Sequence, residues 1–222
     1  MEKALDLPAL IQSDGASAAH LHTVALSLIT GEKRKVLDLG CGRGDLARRI
    51  VATGHAQVFA CDGFAHGEIG RSGIPFVLAD LNRSLPFADG EFSNVLAIEV
   101  IEHLENPRAF IREIIRILSP GGQAIVSTPN NFAWTSLLSV VLRGYFSAFA
   151  DRCYPAHITA LLPVDLTRIV QEAGLENARL IFSNTGRLPG VAISWQRLSF
   201  GLLRGPRFSD NVFITAFKPP LR

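Results

Sequence analysis

Residues 36–45 read VLDLGCGRGD. A short, largely apolar run carrying one acid leads into glycines at 40, 42 and 44. The pattern predicts a buried strand over 36–40 and a helix over DLARRIVATGH (45–55), stopped near Gly54. Strand, glycine turn and helix in that order make a nucleotide-binding arrangement. The glycines allow a sharp turn and leave no Cβ between a ligand and the main-chain N–H groups.

The same alternation continues outward. Apolar runs predict strands at QVFACD (57–62), PFVLADL (75–81), SNVLAIEV (93–100), QAIVSTP (123–129), NARLIFS (177–183) and NVFITAF (211–217). Helical spacing marks ASAAHLHTVALSLIT (16–30) and 163–173, the latter closed by Gly174. GFAHGEIGRSG (63–73) holds at most a short helix. Asn106-Pro107 is helix-start chemistry, and Phe110, Ile111, Ile114, Ile115 and Leu118 form the apolar stripe that follows. Arg112, Glu113 and Arg116 are expected to face out, and Pro120-Gly121-Gly122 to end the helix. Strand and helix alternating in this way build an α/β, doubly wound, mostly parallel sheet covered on both faces. The 222 residues suit a single domain (1–222), with 1–32 as an N-terminal helical cap. Two long segments, 131–160 and 186–207, follow strands five and six. They are expected to roof the ligand crevice as a substrate lid.

Composition excludes several function classes. A formal net charge of +2, with no block of five like charges, gives no case for nucleic acid. Arg179, Arg187, Arg197, Arg204 and Arg207 make the C-terminal part locally basic, which suits an anionic substrate, a membrane surface or a solvated face. Cys41, Cys61 and Cys153 are widely spaced and show no CxxC, which fits a reducing compartment. The stretch FAWTSLLSVVL (132–142) is far shorter than the roughly 18 apolar residues of a membrane span. The N-terminus lacks signal-peptide features. The expected location is cytoplasmic, with peripheral membrane contact left open.

Three details narrow the ligand. Gly40-x-Gly42-x-Gly44 departs from the dinucleotide fingerprint, because the position for its third glycine is Asp45. The turn lacks the Lys-Ser/Thr of a P-loop. Asp38, just before the turn, repels a pyrophosphate but suits an amine-bearing ligand. Asp62 ends the second strand, where an acid takes two ribose hydroxyls, and Asp80 ends the third.

In this order VLDLGCGRGDLA, FACD, FVLADL, LPFADGEF, IEVIEHLENP and LSPGGQAIVSTPN resemble the class I S-adenosylmethionine-dependent methyltransferases. The resemblance is to their small-molecule branch, which includes the ubiquinone-biosynthesis O-methyltransferases, and it covers about residues 33–130. It implies a Rossmann-like seven-stranded sheet with the last strand antiparallel. It implies that Asp38 and the glycine backbone at Gly40, Gly42 and Gly44 hold the methionine end of S-adenosyl-L-methionine. Asp62 would bind the ribose, Asp80 the adenine amino group, Leu81 the ring, and Glu99 the methionine portion and the substrate. The family usually has Phe-Asp before strand four; here Ser93 follows Phe92, at a position not expected to touch cofactor.

Methyl transfer is an in-line displacement that needs alignment and removal of a proton from the nucleophile. Glu99, Glu102 and His103 match the E-x-x-E-H that the ubiquinone-type relatives associate with a divalent metal such as Mg²⁺. His103, with Glu102, is read first as a general base or substrate-positioning group, with a structural role as the alternative. Asn130 and His157 are candidate substrate residues, and Asn131 shares the strand-five edge. His20 and His22 point to different helix faces and make no metal pair; His55 and His66 carry no assignment. Phe132, Trp134, Tyr145, Phe146, Phe149, Tyr154, Trp195 and Phe200 crowd the two insertions. They suit an apolar or lipid-linked acceptor, the lid's own core, or a homodimer interface. Arg143, Arg152 and Arg187 favour an anionic group. The expected activity is methyl transfer to a small or lipid-linked acceptor, oxygen first. Against it stand a nucleotide-dependent oxidoreductase and a non-catalytic cofactor-binding subunit.

Overall fold

A computed structural model describes residues 17–31, 35–54, 57–191 and 193–221. The chain runs through helix α1 (Ala19–Leu28), strand β1 (Lys35–Leu39), α2 (Asp45–Val51), β2 (Gln57–Asp62), α3 (Gly67–Gly70) and β3 (Phe76–Leu78). Then follow β4 (Phe92–Ile98), a 3₁₀ turn at Ile101–His103, α4 (Pro107–Ile117), β5 (Leu118–Pro129) and α5 (Trp134–Arg143). Two 3₁₀ turns (Ser147–Phe149 and Asp151–Cys153) lead to α6 (Pro163–Glu172), β6 (Glu176–Phe182), α7 (Trp195–Leu198) and β7 (Asn211–Phe217). Residues 1–16 and 32 of the expected N-terminal cap, and His55, lie outside the described residues.

The seven strands form one sheet in the order β3-β2-β1-β4-β5-β7-β6. Neighbours from β3 to β5 are parallel, while β7 is antiparallel to both β5 and β6. The chain direction across the sheet reverses between β1 and β4, the position at which such sheets bind ligands beyond their strand ends.

Alternate residues of each strand serve opposite faces. In β1, Leu37 and Leu39 pack with Phe110, Ile111 and Ile114 of α4 and Leu166 of α6, whereas Val36 packs with Leu21 of α1 and Leu46 of α2. Asp38 shares the face of Val36. The strand period therefore buries a carboxylate beneath the start of α2.

Three boundary expectations shift. β3 is only Phe76–Leu78, so Asp80 and Leu81 belong to the loop after it. α4 ends at Ile117, before Pro120-Gly121-Gly122; these residues lie inside β5, where the β4–β5 register shifts between Phe92 and Asn94. Glu113 and Arg116 are not simply solvent-facing. Arg116 donates to the carbonyls of Leu85 and Phe87 and to Glu113 and Asp89, tying down the loop before β4. The Asn106 cap and Pro107 behave as expected, Asn106 Oδ1 accepting from the N–H of Ala109 at 2.9 Å.

Candidate active site

The glycine turn is built from positive φ angles: 78° at Gly40, 52° at Gly42 and 82° at Gly44. The N–H groups of Gly40 and Cys41 both donate to the carbonyl of Cys61, at 2.7 and 3.1 Å, which ties the turn to the end of β2. A Cβ on Gly40 would collide with Cγ2 of Val100. A Cβ on Gly44 would lie 2.5 Å from Cδ1 of Ile69, so this glycine makes room for α3. Asp62 accepts from the N–H of Gly42 at 2.7 Å and from that of Phe64 at 3.0 Å.

A cavity of about 180 Å³ opens here, lined by Asp38, Gly40, Gly42, Asp62, Glu99 and His103 among others. Gly44, Asp80 and Leu81 do not line it. Asp80 has both oxygens engaged, Oδ1 by the N–H of Asn82 and Oδ2 by Arg83. Leu81 is buried in the core. Asp38 is 2% exposed and accepts from the N–H of Ala47 at 3.0 Å. Burial pushes its carboxyl up to about 7, against the pull of that N–H.

Glu99 stands just beyond β4 with φ 56°, a conformation rare for a residue with a side chain. Its N–H donates to the carbonyl and hydroxyl oxygens of Ser127, and its Oε1 accepts from Nδ2 of Asn211 at 2.8 Å. Burial raises its pKa above the usual carboxylate range. Next comes the 3₁₀ turn. Glu102 is fully buried there with neither carboxyl oxygen hydrogen-bonded, and burial, then the Glu99 charge, raises its pKa well above the usual carboxylate range.

His103 Nδ1 lies 2.8 Å from the carbonyl of Ala156, and His157 Nδ1 lies 2.7 Å from that of Ala148. A carbonyl only accepts, so each Nδ1 carries the proton and each Nε2 the lone pair. The rings meet edge to face at 4.8 Å. Burial lowers both imidazole pKa values and keeps the rings neutral at pH 7. One ligand atom each from Glu102, His103 and His157 falls within 4.8 Å of the others. Among the described residues Glu99 is not part of this cluster; its Oε1 is held by Asn211, and His157 stands with Glu102 and His103 instead.

A second cavity, of about 690 Å³, lies between the end of β5, α5, the following 3₁₀ turns and residues 187–191. It shares Glu99 and His157 with the first. Asn130 lines it but has no free polar atom, since Nδ2 donates to the carbonyls of Pro206 and Ser209 and Oδ1 accepts from Phe132. Asn131 and Ser139 differ: Asn131 Oδ1 and Ser139 Oγ are buried with no partner. Of the eight lid aromatics only Tyr145 lines this cavity. The others pack within the lid or lie exposed. Trp195 packs on Phe208, Phe149 on His157, and Arg207 covers Phe132 and Trp134, while Phe200 is 97% exposed.

Several lining residues escape the sequence reading. His22 of α1 is buried in the smaller cavity, with Nε2 2.6 Å from Oγ of Ser17. Its place beside Leu21 and Ala25 on the buried helix face was a usable signal. Phe64, His66 and Asn211 have no such pattern around them. Among the described residues no helix is long and apolar enough to cross a membrane.

A family model described as "Methyltransferase domain" matches residues 14–180. The ubiquinone biosynthesis O-methyltransferase of Thiobacillus denitrificans is 32% identical over 156 residues, 66% of each chain. That of Chromobacterium violaceum is 33% identical over 153 residues, 64% of each chain. The chain thus spans just under two thirds of the length of these relatives. Among solved structures, a SAM-dependent methyltransferase of Thermotoga maritima, described as a possible histamine N-methyltransferase, aligns with a TM-score of 0.67 at 18% identity. That alignment covers 90% of this chain and 88% of the other, and shows the shared fold. The chain belongs to the methyltransferase-domain family, within the class I S-adenosylmethionine-dependent group that its motifs resemble.

Proposed function

We propose that the chain transfers a methyl group from S-adenosyl-L-methionine to a small-molecule acceptor, with a hydroxyl oxygen as the first choice of nucleophile. The observation that carries this reading is that the two cavities meet at Glu99 and His157. A donor in the smaller cavity and an acceptor in the larger one would face each other there. The ubiquinone biosynthesis O-methyltransferases among the relatives favour oxygen as the acceptor atom.

Asp38 and the main chain at Gly40 and Gly42 would hold the amino-acid end of the donor. An ammonium group favours the ionised form of Asp38 and offsets its burial cost. Asp62, already oriented by two N–H groups, would receive the ribose hydroxyls. The sulfonium supplies an activated methyl group, so the protein's tasks are alignment and proton removal. The hydroxyl proton passes to Nε2 of His157 or His103. The new C–O bond forms as the C–S bond breaks, and sulfur keeps the electron pair. A neutral imidazole suits this step, because its lone pair is available at physiological pH.

A divalent cation is the second reading, favoured by the convergence of Glu102, His103 and His157. The unpartnered Glu102 oxygens and the two Nδ1–H···O=C bonds fit a metal site, since ligating histidines are commonly oriented in that way. Such a cation would lower the pKa of an acceptor hydroxyl.

The test is calorimetric titration with S-adenosylhomocysteine, then transfer of a labelled methyl group to a panel of phenols and amines. Binding with transfer to phenols is expected. Absence of S-adenosylhomocysteine binding would overturn the reading. A rise in melting temperature with Mg²⁺ or Mn²⁺, abolished by His157→Ala, is the outcome expected of the metal reading alone.

A further inference from the structure

The larger cavity has a polar inventory that methyl transfer alone does not require. Its lining includes Leu138, Leu142, Ala150, Leu188 and Val191, so it can take an apolar body. Two buried side chains in it lack partners. Asn131 is 1% exposed, and its Nδ2 donates to the carbonyl of Leu161 at 3.0 Å. That bond fixes the amide orientation and leaves Oδ1 as an acceptor in search of a donor. Ser139, 8% exposed on α5, has an unpaired hydroxyl. Leaving such groups unsatisfied costs stability, so this wall of the cavity is built at an energetic cost.

Three arginines also line the cavity: Arg143, Arg152 and Arg187. Arg187 is engaged with Asp210 at 3.5 Å. Arg143, at the end of α5, and Arg152, in the turn Asp151–Cys153, have no ion pair among the described residues. Arg207, outside the cavity, lies 3.8 Å from the centre of the Phe132 ring, which occupies its guanidinium. The cavity's own acids are Glu99, bound by Asn211, and Asp210, bound by Arg187; burial raises the pKa of both. The remaining titratable lining groups are Tyr145, Cys153 and His157, and burial disfavours charge on His157. The cavity therefore presents an excess of positive charge in Arg143 and Arg152.

We propose that the acceptor carries an anionic group, a carboxylate or a phosphate, held by Arg143 and Arg152, with its apolar body beneath and its nucleophile toward Glu99 and His157. This rests on the methyl-transfer reading above. Guanidinium groups are suited to both anions through paired N–H donors.

The test uses the full chain saturated with S-adenosylhomocysteine and three probes that share one apolar body: 1-naphthol, 1-naphthoate and 1-naphthyl phosphate. Calorimetry is expected to show at least one anion binding about tenfold tighter than the neutral probe. In the double variant Arg143→Gln/Arg152→Gln that advantage should shrink to about twofold or less, with naphthol and S-adenosylhomocysteine binding unchanged. Both side chains are exposed, so the variant is expected to fold. The preferred anion identifies the carboxylate or the phosphate class. Equal binding of all three probes, no binding of any, or an advantage that survives the double variant would overturn the proposal. Failure to bind S-adenosylhomocysteine condemns the methyl-transfer reading; binding it without an anion preference condemns this proposal alone.

Discussion

The two cavities differ in what builds them. The smaller, about 180 Å³, is formed at the strand ends around β1, where glycine main chain and strand-end acids converge. The larger, about 690 Å³, is walled mainly by side chains from residues 129–153 and 187–191, brought together across dozens of intervening positions. A sheet edge fixes the first through local geometry. The second depends on how two insertions lie against each other. On the proposed function, fold and donor seat go together, while acceptor choice resides in the insertions.

Two glycines with nearly equal φ put this contrast to its strongest test. Gly40 has φ 78° and no room for a Cβ beside Val100; Gly190 in the larger cavity has φ 77° and nothing within 4 Å. Gly40→Ala should cost about 3 kcal/mol or more, since left-handed strain and a collision add. Gly190→Ala should cost about 1 kcal/mol, from the strain alone. Urea unfolding measures both. Equal losses would mean that the donor seat is no more tightly built than the lid.

The same division governs what the sequence reveals. β1, β2, β4 and β7 are legible because each is a short apolar run bounded by turn residues, and alternation then buries Asp38. The strand ends gather Asp38, Asp62 and Glu99 for the same reason. Glu99's own conformation is not legible, because nothing in a glutamate announces φ 56°. That backbone turn, with Asn211 from a strand 112 positions away, turns Glu99 Oε1 toward Asn211, while Glu102, His103 and His157 gather beside it. Asn130 and Asn131 are indistinguishable by residue type. Only the path of residues 206–209 shows that Asn130 is saturated and Asn131 is not.

Ligand binding should separate the regions next. Asp62→Ala removes the acceptor for two N–H groups and, on the proposed function, for the ribose. It should weaken S-adenosylhomocysteine binding by about 30-fold, which is about 2 kcal/mol. Arg152→Gln should leave that affinity within about twofold, because its side chain touches only the larger cavity. A loss with Arg152→Gln as large as that with Asp62→Ala would join the two sites energetically.

A pH titration probes the smaller cavity in a gentler way. Asp38 has a raised folded-state pKa of about 7, so its carboxylate is only part-ionised near neutrality. An ammonium ligand needs the ionised form. S-adenosylhomocysteine affinity should therefore be highest at about pH 8, before the ligand's own ammonium titrates, and fall as pH drops through 7, approaching tenfold per unit. His22 in the same cavity has its pKa lowered, first by burial, which moves its charging further down the pH scale. Asp38→Asn should bind more weakly at pH 8 and lose the slope. A slope retained in that variant would assign the titration to another group.

The smallest effect on function should come from the paired asparagines of the larger cavity. Asn130→Ala breaks three hydrogen bonds that fasten residues 132 and 206–209, and should cost about 2 kcal/mol of stability. Asn131→Ala loses one bond, to Leu161, and should cost about 1 kcal/mol or less, because the variant also deletes an unsatisfied buried oxygen. Function should rank them the other way. Asn131→Ala should raise the acceptor KM a few-fold with kcat little changed, since the cavity wall that its bond to Leu161 holds serves ground and transition states alike. Asn130→Ala should shift stability without a matching KM effect at a temperature where it is fully folded. If Asn130 proved the more damaging of the two in KM, the lid would act as a single unit, and the separation of scaffold from contact within it would fail.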